Sequence, residues 1–168
     1  AANNGHVDTV RYLVEKANAN VEVRYLVEKA NTNVEAKSEF GFTPLILAAR
    51  NGHIDAVRYL VEKANANVEA KSNLGHTPLM WAARNGHIDT VYRLVEKANT
   101  DVEAKSNNGF TPLMLAVNDG HIDTVRYLVE KANANVEAKD NDRRTPLMLA
   151  AIKGYIDTVR YLVEKANA

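Results

Sequence analysis

The 168-residue sequence contains no cysteine, so it can form neither disulfide bonds nor thiolate metal sites. It also lacks an excess of either charge, because 21 basic and 21 acidic side chains give a formal net charge of zero. No apolar run approaches the roughly 18 residues that would span a bilayer, and no signal-peptide pattern opens the chain. We therefore expect neither a nucleic-acid partner nor membrane insertion. The remaining composition, 46% hydrophobic and 25% charged, is typical of a folded globular chain.

Side chains that could support catalysis are spread at fixed intervals instead of being clustered. Ser38, Ser72 and Ser106 occupy one repeating position, where we expect them to bond local backbone. Histidines in one repeating position would lie about 10 Å apart in a stack, too far to share a zinc ion, and we expect them to bond local backbone in the turn; they are His6, His53, His87 and His121. The glycines are isolated, so no phosphate-binding loop is present. The sequence thus predicts no enzymatic activity, no cofactor and no metal site.

The dominant feature of the sequence is an internal repeat with a constant period of 34 residues. The tripeptide Thr-Pro-Leu begins at Thr43, Thr77, Thr111 and Thr145, and a glycine recurs with the same spacing from Gly52 onward. Such a period indicates a stack of units, each too small to bury its own apolar face. We therefore interpret 1–168 as one repeat domain. Its units are an irregular one at 1–37, full repeats at 38–71, 72–105 and 106–139, and a C-terminal one at 140–168.

One period contains the signals for two helices and a turn. Thr43 can cap a helix that starts with a proline, and Gly52 suits its left-handed exit, which predicts a short helix from Leu45 to Asn51. A second helix is expected from about His53, with an apolar stripe at helical spacing. Asn65 is the expected stop, because asparagine tolerates positive φ. The polar run 66–76 then predicts a tight, hairpin-like loop.

These features resemble those of ankyrin repeats: the Thr-Pro-Leu starts, the Ala48-Ala49 and Ala82-Ala83 pairs, the Gly-His links and the glycine before each threonine. The resemblance implies an all-α solenoid of stacked helix-turn-helix units joined by short hairpin-like loops. It also implies a non-catalytic scaffold that binds a protein on its concave side, and it favours an intracellular location. Neither the partner nor the organism can be identified from the sequence.

The repeats depart from the ankyrin pattern in several places. Their period is one residue longer than that of the family, and the extra residue falls near Asn65. Arg143 replaces the loop glycine in the last unit, which costs on the order of 1 kcal/mol if the turn keeps positive φ. The histidine that follows Thr-Pro-Leu in the family signature is replaced by Ile46, Met80, Met114 and Met148. This change makes the first helices more apolar.

The N-terminal unit contains a tandem duplication, since 10–22 is repeated almost unchanged as 23–35. In one continuous helix, the second apolar stripe would be rotated by some 220° from the first and would face water. The alternative is a break near Asn18 that lets the two copies pack as an antiparallel hairpin. We favour the hairpin.

The positions that differ between repeats lie in the loop tips and at the ends of the first helices, and we expect them to form the partner-binding face. Phe40, Phe42, Leu74 and Phe110 should be solvated there, which suggests an interaction patch. Trp81 takes the place of a leucine in other repeats and is expected to be buried between units. The candidate binding residues are Glu39, Phe40, Phe42, Arg50, Asn73, Leu74, His76, Arg84, Asn107, Asn108, Phe110, Asn118, Asp119, Asn141, Asp142, Arg144, Ile152 and Lys153.

The alternative function is a structural element that assembles with itself. The chain begins with Ala1 and not Met, so we expect a fragment, a processed product or an engineered chain. Its last helix repeats the internal apolar pattern at Ile156, Val159, Leu162 and Val163. Part of that stripe would have no neighbouring repeat to cover it. Head-to-tail association between copies, which extends into filaments when it does not close, is the consequence we expect.

Overall fold

The computed structural model describes residues 33–166, with the side chain of Ala166 excepted. Within that range the chain forms four helix pairs and no strand. The helices are α1 (Pro44–Arg50), α2 (Ile54–Glu62), α3 (Pro78–Arg84), α4 (Ile88–Ala98), α5 (Pro112–Asn118), α6 (Ile122–Glu130), α7 (Pro146–Lys153) and α8 (Ile156–Ala166). The predicted all-α array of helix-turn-helix units is confirmed. The hairpin expected for the duplicated segment falls almost entirely on residues 1–32, outside the described residues.

The predicted start and stop signals operate in each described repeat. Thr43 Oγ1 accepts a hydrogen bond from the Ile46 N–H at 3.3 Å, and α1 begins at the proline, one residue earlier than expected. Asn65 has a φ of 52°, and Asn99 and Asn133 adopt the same left-handed conformation. Asparagine therefore supplies the turn after α2, α4 and α6. In the last unit Arg143 keeps a φ of 63° at the glycine position, so the expected strain is present.

The two helices of a repeat bury different fractions of their surface. Nearly all of α1 is buried, whereas α2 is amphipathic and buries Val57 and Leu60 while exposing Arg58. Successive first helices are packed more closely than successive second helices. Closer packing of the first helices favours curvature toward them, so we call the side formed by their loops and C-terminal ends the inner side. The candidate binding residues belong to that side.

The loops fold as expected and are bonded to one another. In the second full repeat, the Ser72 N–H donates to the His76 carbonyl at 3.0 Å, and Ser72 Oγ accepts from the His76 N–H. The local role predicted for the serines is thereby confirmed. Asparagine side chains also link successive loops through hydrogen bonds of 2.8–2.9 Å. Asn73 donates to the Glu39 carbonyl, Asn107 to the Asn73 carbonyl and Asn141 to the Asn107 carbonyl.

Lysine and glutamate side chains extend this bonding along the array. Lys71 Nζ donates to the Lys105 carbonyl at 3.1 Å, one repeat further on. Glu69 Oε1 accepts from the Asp101 N–H at 2.8 Å. Lys37 and Lys105 donate to backbone carbonyls in the same way, and Glu35 and Glu103 accept from backbone N–H groups in the same way. Side chains that look like a solvated surface in the sequence thus satisfy backbone groups of the neighbouring repeat.

The Gly-His links also join repeats, which corrects the expectation that these histidines bond local backbone. The Nε2–H of His87 donates to the Arg50 carbonyl of the preceding repeat at 3.0 Å, and His121 bonds the Arg84 carbonyl in the same way. A Cβ added to Gly86 would collide with the His121 ring at Nδ1. The glycine is therefore required both for its φ of 70° and for the close approach of the next imidazole.

The C-terminal repeat leaves part of its apolar surface uncovered. Ile156 is 59% exposed and Val163 41% exposed, as the sequence predicts for an open stripe. Leu162, by contrast, is only 1% exposed and Val159 is half-buried, so only part of the stripe is uncovered, as expected. Leu162 packs inside its own repeat and against the preceding one. The open surface also includes Met148 on α7.

Two glycine substitutions should separate backbone strain from the loss of the imidazole contact. Gly86→Ala and Gly154→Ala both place a Cβ at positive φ, which costs about 1–2 kcal/mol. Only the first also collides with a histidine, since nothing lies within 4 Å of the Cβ position at Gly154. We expect Gly86→Ala to lower the free energy of unfolding by about 1–3 kcal/mol more than Gly154→Ala in urea titrations.

His121→Ala provides the control for this comparison, because it removes the ring that the new Cβ would meet. In the His121→Ala background, the two glycine substitutions should have nearly equal effects on the free energy of unfolding. Equal effects already in the wild-type background would contradict the proposed contact.

Candidate functional site

The structure separates the candidate binding residues into exposed and enclosed groups. Phe40 is 62% exposed and Leu74 53% exposed, as predicted. Phe42 and Phe110 are half-buried against the core, and His76 is only 8% exposed. The expectation that all the loop aromatic residues are solvated is therefore wrong. The reason is that Phe42 packs against Trp81 of the following repeat, whereas Phe110 packs against Met80, Ala104 and Leu115.

An aromatic-arginine cluster forms where the first two described loops meet α1 and α3. Trp81 on α3 lies at its centre, with the Phe42 ring at 5.4 Å and the His76 ring at 5.1 Å, both edge-on. Phe40 continues the cluster toward solvent, with its ring centroid 6.0 Å from that of Phe42. Edge-on pairs of this kind are favourable because a positive ring edge meets a negative ring face. We define the aromatic-arginine cluster as Phe40, Phe42, Arg50, His76, Trp81 and Arg84.

Two guanidinium groups contact the central indole. The Arg50 guanidinium carbon lies 5.3 Å from the Trp81 ring centroid and 5.5 Å from that of Phe42. Arg84 lies 5.4 Å from the same indole. Stacking of this kind contributes about 0.5–2 kcal/mol per pair and holds a flexible side chain in one place. Both arginines can reach the indole because each is the last residue of a first helix, at the inner side.

Burial inside the cluster has consequences for its polar atoms. Trp81 is 7% exposed, so its predicted burial between repeats is confirmed. Its indole N–H is buried and finds no hydrogen-bond partner among the described residues. Burial lowers the pKa of His76 to about 4, and the nearby Arg84 charge acts in the same direction. His76 is therefore neutral at pH 7 and adds no charge to the two arginines.

Arg84 has an acidic partner from the next repeat. Its Nε lies 3.3 Å from Asp119 Oδ2, and Asn118 Nδ2 donates to the other Asp119 oxygen at 3.1 Å. The structure thus brings together three candidate residues at the ends of α3 and α5. Arg50 occupies the equivalent place on α1 but forms no ion pair with any described residue. The two arginines therefore differ in how far their charge is compensated.

The last loop contains a second arrangement, which the sequence analysis missed in part. Asp140 replaces the repeated serine, and its fully buried carboxylate pairs with Arg144 Nε at 2.8 Å. Arg144 also pairs with Asp142 at 2.9 Å and stacks 5.8 Å from the Phe110 ring centroid. The sequence did contain a signal for this ion pair. Asp140 stands where the other loops have serine, and Arg144 stands where they have an aromatic ring.

Other candidate residues have mainly structural contacts. The three loop asparagines bond the preceding loop, which commits their side-chain amides to a structural role. Asn108 accepts the Asn141 N–H at its carbonyl but exposes its side chain. Ile152 is 67% exposed, and Lys153 and Glu39 are exposed as well. These exposed residues remain candidates for contact with a partner.

The opposite side of the stack carries a different pattern. Arg126 stacks 5.3 Å from the Tyr161 ring centroid of the next repeat. Burial and a hydrogen bond to Glu96 raise the pKa of Tyr127 to about 12. Arg58 pairs with Asp55 of its own helix instead. Among the described residues, Arg58 and Arg93 of the second helices thus pair with acidic side chains on the same side.

Two further observations concern the described part of the chain. Between residues 33 and 166, no three acidic or imidazole side chains are grouped closely enough to hold a metal ion. No helix in that range combines the length and the apolar character needed to cross a membrane.

The buried Asp140 carboxylate should make stability depend on pH. Burial raises its pKa, but hydrogen bonds from Arg144 and Asp142 and the Arg144 charge outweigh that effect, so the pKa lies below its ordinary value. A depressed pKa stabilises the folded state above the pKa of the unfolded chain, about 4, and this stabilisation is lost as the pH falls through the folded-state value. We expect Asp140→Asn to cost about 1–3 kcal/mol of unfolding free energy at pH 7.

The control for that measurement is Asp142→Asn, because the Asp142 side chain is 71% exposed and pairs with the same arginine. It should cost less than about 1 kcal/mol. The deficit of Asp140→Asn should shrink between about pH 5 and pH 3 in chemical denaturation, and a deficit that is constant across this range would contradict the assignment.

Comparison with known families agrees with the geometry. A family model described as ankyrin repeats (3 copies) matches residues 1–106 and again residues 98–168, which together span the sequence. A search of curated proteins gives no match. Ankyrin repeats are in general protein–protein interaction modules and are typically non-catalytic. The chain therefore belongs to the ankyrin repeat family.

Proposed function

We propose that this chain is a non-catalytic scaffold that binds a protein partner through its inner side, formed by the loop tips and the ends of the first helices. The observation that carries the proposal is the exposure of Phe40, a member of the aromatic-arginine cluster, and of Leu74 in the next loop. Large apolar side chains in solvated loops are costly unless a partner covers them. Aromatic residues and arginine are also the types that dominate binding energy at protein interfaces.

The rigidity of this surface supports the proposal. The asparagine bonds between loops fix the backbone on which Phe40 and Leu74 stand. The Arg50 carbonyl accepts hydrogen bonds from Asn85 and His87, so the end of α1 is fixed as well. A surface that is already ordered loses little conformational entropy when a partner binds.

The side formed by the second helices is a weaker candidate. Two of its arginines are paired within the chain, Arg58 with Asp55 and Arg93 with Glu62 at 3.0 Å. Pairs of this kind are solvated and contribute little to association. Tyr92 is 50% exposed but its ring packs edge-on against Tyr127 at 5.9 Å. We therefore assign the binding face to the first-helix side.

The double variant Phe40→Ser with Leu74→Ser tests this assignment. Both side chains are mostly exposed, so the thermal unfolding midpoint should stay within a few degrees of the wild type. Retention of interacting proteins, quantified by mass spectrometry after affinity capture, should fall for this variant. The control variant Arg58→Ala with Arg126→Ala alters the other side and should retain them. The assignment is wrong if the control loses more than the loop variant.

Self-association is a second candidate function, favoured by the open surface of the C-terminal repeat. Met148 is 52% exposed, whereas Met80 and Met114, at the same repeat position, are 0% exposed under the next unit. A second copy that stacks there would bury Met148 in the same manner and cover part of Ile156, whose equivalents Ile54 and Ile122 are half-buried.

We expect the sedimentation coefficient of the wild-type chain to increase with concentration, and Met148→Gln with Ile156→Gln to abolish that increase. Phe40→Ser with Leu74→Ser should leave the increase unchanged. A wild-type chain that stays monomeric at millimolar concentration would exclude this candidate and leave the scaffold function unaffected.

A further inference from the structure

One of the two arginines of the aromatic-arginine cluster has no carboxylate partner among the described residues. Arg50 and Arg84 stack on the same indole, 5.3 and 5.4 Å from its centroid. Arg84 has Asp119 at 3.3 Å. Arg50, whose side chain is exposed, has no carboxylate within ion-pair distance among residues 33–166. Because His76 is neutral at pH 7, it does not alter this balance.

The last loop of the same chain shows what such an arginine binds when a carboxylate is available. Arg144 stacks on Phe110 at 5.8 Å and holds Asp140 at 2.8 Å and Asp142 at 2.9 Å. Arg50 stacks on Phe42 at 5.5 Å in a similar way, but no acidic side chain of the described residues completes the arrangement. The planar guanidinium fork matches a carboxylate through two parallel hydrogen bonds.

Arg50 is already in place for such a contact. The two aromatic rings and the fixed end of α1 hold it, so pairing with a carboxylate loses less side-chain entropy than it would for a free arginine. Phe40 and Leu74 stand exposed in the adjoining loops and offer an apolar contact beside the charge. An uncompensated charge of one unit also fits a carboxylate better than a doubly charged phosphate.

We propose that the inner side recognises a protein segment in which an aspartate or glutamate lies next to a large apolar residue. The carboxylate pairs with Arg50, and the apolar side chain packs on Phe40 and Leu74. This inference rests on the proposed scaffold function and specifies the partner chemistry for the same surface.

The test begins with a phage-displayed library of short random peptides, selected on the full 168-residue chain. Enriched peptides should combine an acidic residue with a neighbouring Phe, Leu, Ile, Met or Trp. The best of them is then synthesised together with a version in which the acidic residue is replaced by its amide. Fluorescence anisotropy gives the Kd of both peptides for each protein variant.

Arg50→Gln should raise the Kd of the acidic peptide about tenfold or more, as expected for loss of a charge-assisted hydrogen-bonded pair. The amide peptide should bind the wild-type chain with the same weakened Kd and lose little more with Arg50→Gln, because the two changes remove one interaction. Arg50→Lys, which keeps the charge but not the fork, should retain part of the affinity. Circular dichroism spectra and thermal unfolding midpoints check that each variant keeps the fold.

Arg126→Gln is the matched control, because Arg126 also stacks on an aromatic ring but lies on the second-helix side. It should leave the Kd unchanged. Enriched peptides without acidic residues that still require Phe40 and Leu74 would overturn this inference and leave the scaffold function intact. Peptides that bind equally well to Phe40→Ser with Leu74→Ser would overturn both.

Discussion

The structure depends on one constraint: a single repeat cannot bury its own apolar surface, so every helix pair must be covered by the next. The methionine that follows the second, third and fourth Thr-Pro-Leu tripeptides shows this directly. Met80 and Met114 are fully buried because a following repeat lies over them, whereas Met148 is half-exposed in the last unit. The same side chain on the same type of helix is thus core in one repeat and surface in another. Stability therefore resides in the contacts between repeats more than within them.

The need to stack explains why so many polar side chains bond backbone groups one repeat away. Loops and helix ends that meet at a repeat interface leave N–H and carbonyl groups partly shielded from water, and each requires a partner. Asn73, Lys71, Glu69 and His87 supply those partners at constant spacing. A close approach such as that of His121 to Gly86 then excludes any side chain at the facing position. Much of the sequence identity between repeats follows from this bonding and not from the helices alone.

The sequence allowed the elements to be predicted but not the contacts between them. Thr43, Pro44 and Asn65 act on residues within a few positions, so their effect is visible in one period. His87 bonds a carbonyl of the preceding repeat, and Phe42 packs on Trp81 of the following one. These partners become neighbours only after the stack has formed, which is why the histidines were expected to bond locally and Phe42 was expected to be solvated. The burial of Trp81 was predictable because leucine occupies its position elsewhere.

Recognition can vary in this architecture because the invariant bonds and the variable side chains lie at different positions of one period. The loop asparagines hold the backbone in place, while the neighbouring positions change from Phe42 to His76, Phe110 and Arg144 without altering the turn. Since each unit contacts only its neighbours, a change at one loop tip perturbs one interface and leaves the others intact. Arg144 therefore has two acidic partners, whereas Arg50 has none among the described residues, although the backbone around both is similar. We propose that specificity arises where the repetition is broken, as it is at the aromatic-arginine cluster.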